Sequence, residues 1–272
     1  MTGCKITCLV NNTAAPGYKA EHGISFHIES SCLRMLYDTG QSGDVLLHNA
    51  KTAGIDFGWL GLIILSHGHY DHTGGLLKAL EKSGTIKVMA HEAAFNQKFA
   101  LREGKPESIG IPFNVKSLWN YCDIVLQRGP YTICGGLWAT GEIPRVTPFE
   151  PPSSRFMEEH KGAMFTDQLK DDQSIVVDTN DGLMLITGCC HSGVVNTILQ
   201  VKALFGRYPT TIVGGLHMES ADDARITATV EALKEAGVKK AILGHCSGTK
   251  IMDALRTAGV EVVALEAGMR IL

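Results

Sequence analysis

The sequence predicts an α/β (α+β) protein: a four-layer αββα sandwich of two mixed sheets with outer helices. Three observations point there. Strand-length apolar runs open the chain as hairpins across residues 23–37, and the pattern returns around the Thr179-Asn180-Asp181-Gly182 turn. Beyond residue 183, such runs alternate with segments of helical period, as expected for parallel strands joined by helices. Gly-flanked turns rich in His, Asp and Cys follow several of the strands, which places polar chemistry at strand ends.

Strands are expected at 5–10, 24–29, 33–37, 60–65, 86–90, 174–178, 183–187, 211–213, 241–243 and 260–265. Helices are expected at 42–54, between a Ser42 start and a Gly54 stop, and at 220–237, from Ser220 with acidic residues in its first turn to Gly237. Further helices are expected at 73–82, 192–206 and 249–258. Residues 93–128 carry scattered Gly and Pro and weak periodicity, so they read as an insertion that covers a site entrance, within one domain spanning 1–272. Residues 148–170, with Pro148, Pro151 and Pro152, read as a long loop.

Composition narrows the class. With 272 residues, 44% hydrophobic and 19% charged, the chain has enough apolar material for a substantial core. A net charge of −3 gives no electrostatic reason for an obligatory nucleic-acid partner. No apolar run approaches the ~18 residues that a membrane crossing needs, and the start lacks a basic stretch followed by an apolar one; a cytoplasmic protein without a membrane partner is expected. The eight cysteines contain no CxxC pair, and in such a chain they read as reduced, partly buried thiols. Oligomeric state is left open, with Trp119 in the inserted region a candidate contact.

The chemistry concentrates in Ser66-His67-Gly68-His69-Tyr70-Asp71-His72-Thr73-Gly74-Gly75-Leu76, which follows the buried run Leu62-Ile63-Ile64-Leu65. Extended backbone at the loop entrance turns His67 and His69 to the same side, because side chains alternate with period two. Asp71 and His72 come after the turn and are offset, better placed for a second ion. The spacing predicts a site for two metal ions.

This stretch is similar to the HxHxDH signature of the metallo-β-lactamase superfamily. Glu21-His22-Gly23 and Asp38-Thr39-Gly40 before it, and Thr140-Gly141-Glu142-Ile143-Pro144-Arg145, Gly188-Cys189-Cys190-His191-Ser192-Gly193, Gly214-Gly215-Leu216-His217 and Gly244-His245-Cys246-Ser247-Gly248 after it, appear in order. Together they resemble the branch named after 7,8-dihydropterin-6-methyl-4-(β-D-ribofuranosyl)aminobenzene-5′-phosphate synthase. The resemblance implies the same αββα sandwich. His191 and His245 each follow an apolar strand in a Gly-flanked turn, so His191 is assigned to the first ion with His67 and His69, and His245 to the second with Asp71 and His72.

Glu142 and Cys189 stand where the superfamily usually has a histidine and a bridging aspartate; either can ligate, with altered softness. The expected cofactor is two divalent ions, zinc first, with iron and manganese open. Asp38 resembles the acid that orients a ligand imidazole from behind. His217 ends another strand, as a proton donor to a leaving group or as a further ligand. Glu21 and His22 are placed at the pocket mouth, and Arg145, with Arg155 and Lys161, where an anionic small-molecule substrate can be held.

Two cations make hydroxide available at neutral pH and stabilise transition-state charge. The leading expectation is therefore a metallohydrolase in which metal-bound hydroxide, positioned by Asp71, attacks a small ester, lactone or phosphoester. The branch name implies an alternative, condensation of a dihydropterin pyrophosphate with a ribofuranosylaminobenzene phosphate in a methanopterin-type pathway. A metal-bound redox sensor or binding module using Cys189, Cys190 and Cys246 is a third class.

Overall fold

The structure, a computed structural model, describes residues 3–160 and 162–272. In chain order its elements are β1 (Lys5–Val10), β2 (Ser25–Glu29), β3 (Arg34–Tyr37), α1 (Gly43–Thr52), β4 (Leu62–Ile64), the single turn α2 (Tyr70–Thr73), α3 (Leu76–Ser83), β5 (Ile86–Ala90), β6 (Gln97–Arg102), β7 (Lys105–Ser108) and β8 (Cys122–Leu126). There follow β9 (Tyr131–Cys134), β10 (Leu137–Ala139), β11 (Phe156–His160), β12 (Ala163–Thr166), β13 (Ile175–Thr179), β14 (Gly182–Thr187), α4 (Val194–Phe205), β15 (Pro209–Gly214), α5 (Asp223–Glu235), β16 (Lys240–Leu243), α6 (Thr249–Thr257) and β17 (Glu261–Ala264). They form two compact units.

One unit takes residues 4–128, 152–171 and 266–272. Its main sheet runs β1-β2-β3-β4-β5-β8, antiparallel through the opening hairpins and parallel from β3 onward. Leu46 and Ala50 of α1 and Leu76, Ala79 and Leu80 of α3 are buried with Leu9, Leu36, Ile63 and Val88 of the sheet. Each large apolar side chain covered this way contributes roughly 1.5–3 kcal/mol. Residues 266–272 run beside β1: Ile6 N–H donates to Leu272 O, Ile271 N–H to Ile6 O, and Gly268 N–H to Cys8 O.

A second, antiparallel sheet in this unit runs β12-β11-β6-β7. Its strands β6 and β7 lie within residues 93–128, read from the sequence as weakly periodic, and β11 and β12 lie within the stretch 148–170 expected to be a long loop. All four residues of β7 and of β12 are exposed, so neither strand shows the alternation that marks a half-buried strand. What makes them strands is pairing, and β11 finds β6 some sixty residues earlier, Glu158 opposite Lys98.

The other unit takes 129–151 and 172–265. Its sheet runs β17-β16-β15-β14-β13-β10-β9, parallel from β14 to β17 and antiparallel at β13, β10 and β9. Val194, Ile198 and Val201 of α4, Ile226 and Leu233 of α5, and Ile251 and Leu255 of α6 pack with Leu183, Leu185, Ile212, Ala241 and Leu243. Every strand expected from the sequence is present, with ends shifted by at most two residues.

Among the described residues, no helix is long and apolar enough to cross a membrane. Cys4, Cys8, Cys122, Cys189, Cys190 and Cys246 are thiols outside any disulfide. Cys32 and Cys134 depart from the reduced set expected, being disulfide-bonded. They are less buried than most of those thiols and so more open to oxidation.

Candidate metal centre

In the first unit, register sets up the site. Tyr37 pairs with Ile64 in parallel, so β3 and β4 end together and their following loops share one sheet edge. Asp38, fully buried and at φ 61°, turns back at that edge. Its Oδ1 accepts from Ser66 N–H at 2.7 Å, while its Oδ2 accepts from Ser66 Oγ at 2.6 Å and lies 2.7 Å from His72 Nδ1. A carboxylate against Nδ1 fixes the proton there and leaves Nε2 as the nitrogen that can take a cation.

Ser66 extends the same control to a second histidine. A hydroxyl has one proton, which goes to Asp38, so toward His67 Nδ1 at 2.8 Å it can only accept. His67 is thereby protonated at Nδ1 and carries its lone pair on Nε2. That atom lies 2.9 Å from His69 Nδ1, across rings whose centroids are 4.4 Å apart. Burial holds His69 neutral, pushing its pKa down to about 3, the protonation state that metal ligation requires.

The helical turn of α2 already includes Asp71 and His72, so the helix starts within the motif rather than after it. Asp71 Oδ2 lies 3.7 Å from His72 Nε2 and 3.2 Å from His22 Nε2. Glycines allow this crowding: a Cβ on Gly23 would lie 2.4 Å from Asp71 O, one on Gly74 2.0 Å from Gln41 O, and one on Gly68 2.0 Å from Ala94 O. Glu21 turns away from the motif and accepts from Gln41 N–H and Ser42 N–H through Oε1, holding the turn before α1.

A buried ion-pair cluster secures the loop from its other side. Lys98 of β6, fully buried, reaches Asp167 Oδ2 at 2.7 Å and Asp171 Oδ1 at 3.0 Å, and Asp171 Oδ2 accepts from Gly68 N–H at 2.8 Å. Burial favours neutral Asp171, yet the Lys98 charge outweighs it and keeps the carboxyl below its ordinary range. Sequence reading missed Lys98, Asp167, Asp171 and Ser66. Of these only Ser66, beside the motif, left a local trace.

In the second unit, Thr187 pairs with Gly214 and Gly214 with Leu243, so β14, β15 and β16 end side by side. The chain turns after each, bringing Cys189, His191, His217, His245 and Cys246 to that edge. Cys190, His217 and His245 adopt φ of 60°, 50° and 52°. Together with Asp38 they make four of the six non-glycine residues of positive φ among those described, and such strain gathers where side chains must converge.

His245 Nε2 lies 3.2 Å from Cys189 Sγ, and the His191 and His217 rings are 4.2 Å apart. Burial pushes the Cys246 thiol up, but its bond with Cys189 and the neighbouring His245 outweigh that and hold it well below the ordinary thiol range. The Cys190 thiol is raised by burial and contacts Thr197 Oγ1 at 3.3 Å, as an inert core group does. The Arg145 guanidinium donates to His191 O at 3.0 Å and Glu150 O at 3.1 Å, and Asp172 Oδ2 accepts from Ser192 N–H at 2.7 Å. Glu142, half-buried, lies just beyond β10. Arg155 is exposed, and Lys161 lies outside the described residues.

The donor sets, His and Asp in one unit and His and Cys in the other, with the His67 and His72 tautomers fixed from behind, could hold a metal ion. The sequence profile of the metallo-beta-lactamase superfamily matches residues 34–206, and the chain belongs to that superfamily. Over 245 residues it is 31% identical to the 7,8-dihydropterin-6-methyl-4-(beta-D-ribofuranosyl)-aminobenzene-5'-phosphate synthase of Methanocaldococcus jannaschii, covering 85% of this chain and 82% of that one. The crystal structure of Tm1679, described as a metal-dependent hydrolase of the beta-lactamase superfamily, superposes with a TM-score of 0.85 at 29% identity, covering 99% of this chain and 98% of the other. The metallo-beta-lactamase fold protein YhfI from Bacillus subtilis shares the fold alone, with a TM-score of 0.59 at 15% identity over 98% of each chain.

Proposed function

We propose that the chain is a metal-dependent enzyme that hydrolyses a small ester, lactone or phosphoester. The observation that carries this reading is the Asp38–Ser66 relay, which sets His72 and His67 to present Nε2 and has no purpose in a merely structural turn. We assign His67, His69 and His191 to a first divalent ion and Asp71, His72 and His245 to a second, with Cys189 and Glu142 as supplementary donors. Zinc suits this set first, and iron or manganese are the alternatives. Such ions, when bound, make water acidic enough to attack at neutral pH and stabilise the negative charge that develops.

The chain's own residues supply the rest. Asp71 orients the attacking water through a carboxylate oxygen, and His22, 3.2 Å from Asp71 Oδ2, is placed to receive the proton. His217, against the His191 ring, is the candidate donor to the leaving group. With its guanidinium on two carbonyls, Arg145 serves to hold His191 in place, and its contact with an anionic substrate is secondary.

Metal analysis of anaerobically purified protein tests the assignment. About two ions per chain are expected, with a clear loss in His67→Ala and in His245→Ala. A single ion that His245→Ala leaves untouched overturns the two-ion assignment.

The relative named as a synthase favours a second reading, condensation of a dihydropterin donor with a ribofuranosylaminobenzene phosphate. Release of pyrophosphate from the pterin donor only when the arylamine is present would select it. Turnover of an ester panel without any arylamine would select the hydrolase.

A further inference from the structure

We infer that Cys189, His217 and Cys246 form a soft metal site carried by the 129–151/172–265 unit alone, with zinc-like cations as its ligand class. Its donors all belong to one unit, so its ion is additional to the two of the two-ion reading, takes Cys189 from the supplementary donors named there, and does not need the HGHYDH loop. One ligand-capable atom from each of the three side chains lies within 4.8 Å of the others. Two thiolates and an imidazole around one cation, with a position left over, match borderline-soft zinc far better than magnesium or calcium, which prefer oxygen.

The backbone is built to hold this arrangement. A Cβ on Gly215 would lie 2.7 Å from Cys246 Sγ and 2.5 Å from Gly188 O, so only glycine leaves room for the sulfur. The loops after β15 and β16 are bonded to each other: His217 N–H donates to Cys246 Sγ at 3.2 Å, Met218 N–H to Cys246 O at 3.1 Å, and Leu216 N–H to Ser247 Oγ at 3.1 Å. His217 keeps a φ of 50°, which a β-branched or bulky residue rarely tolerates. Three loops from three adjacent strands are thus fixed around two sulfurs and one imidazole.

Binding releases the thiol protons to solvent and forms two metal–sulfur bonds and one metal–nitrogen bond; no oxidation is involved. With His217 as a ligand, the leaving-group proton comes from elsewhere, and His22 beside Asp71 is the ionisable group at hand.

Cobalt(II) titration of the metal-free, reduced full-length protein provides the test, because cobalt substitutes for zinc and its thiolate bonds give a near-ultraviolet charge-transfer band. In His67→Ala/His69→Ala the thiolate band is expected to persist at full intensity, with one sulfur-bound cobalt per chain. In Cys246→Ser it is expected to fall to about half, one thiolate of two being removed, with affinity lower by at least about tenfold. Cys190→Ser, whose thiol faces Thr197, controls for a general effect of losing a buried sulfur and is expected to keep the full band. Far-ultraviolet circular dichroism on each variant excludes misfolding as the cause of any loss. An unchanged band in Cys246→Ser, or its disappearance in His67→Ala/His69→Ala, overturns the inference. Failure of the two-ion reading shows separately, as a wild type that takes up no more cobalt than the double variant.

Discussion

A single buried carboxylate controls two histidines, one directly and one through a hydroxyl. Asp38→Ala leaves Ser66 and His72 without their acceptor, and Ser66→Ala frees the His67 tautomer. Both are expected to weaken metal binding by about 10–100-fold with little loss of fold, read by competition with a chromophoric chelator. Equal affinities in wild type and Ser66→Ala would sink the relay. His27 offers a pH signature away from the metal ligands. It is 4% exposed, its Nε2 has no hydrogen-bond partner among the described residues, and burial, against the pull of Glu29, lowers its pKa to about 4. An unfolded imidazole titrates near 6.5, so the folded state binds fewer protons between these values. The stabilisation from a neutral His27 is complete above about pH 6.5 and lost as pH falls toward 4, by up to about 3 kcal/mol. Urea midpoints of wild type and His27→Gln are expected to diverge across that window, the variant falling less steeply. Parallel curves would show that His27 does not titrate there.

Elements explain what the sequence could and could not reveal. The HGHYDH ligands were legible because they lie close together and follow an apolar run, and most strands of the two main sheets were legible because burial imposes a pattern on them, whereas β8 and β9, mostly not buried, and the three-residue β10 were missed. Lys98 and its two aspartates were hidden by distance: 69 and 73 residues separate the partners, and no local period records such a pair. Glu150 was hidden likewise. Helix α4 begins at Gly193, which has no side-chain cap, and Glu150 reaches in from outside to accept from Val195 N–H and Asn196 N–H. Lys98→Met is expected to cost about 3–5 kcal/mol in chemical denaturation, since two carboxylates stay buried without a counter-charge. It is also expected to weaken metal binding, because Asp171 carries Gly68 between the two histidines. A large stability loss with unchanged metal affinity would separate the cluster from the site. Glu150→Ala, which strips a helix start of its acceptor in a buried setting, is expected to cost about 1–3 kcal/mol.

For the whole molecule, metal and stability are linked. An ion that binds only the folded chain raises stability by RT ln(1 + [M]/Kd), so chelation is expected to lower the thermal midpoint and added zinc to raise it with the logarithm of concentration. A midpoint indifferent to chelator and zinc would argue against a resident metal. The midpoint of His67→Ala/His69→Ala should respond less than that of wild type, yet still respond, if the thiolate site stands alone.

The strand-like run of residues 266–272 along β1 bears on the timing of synthesis. Its carbonyls and amides complete the β1 edge through Leu272, Ile271 and Gly268, although the rest of that unit lies before residue 172. On the ribosome, the HGHYDH segment therefore emerges about two hundred residues before the last piece of its own unit. Throughout that interval, β1 presents open backbone groups that invite pairing with another chain. Deleting 266–272 makes the interval permanent, and the expected result is a protein that reaches the insoluble fraction during expression even though every metal-binding side chain is intact.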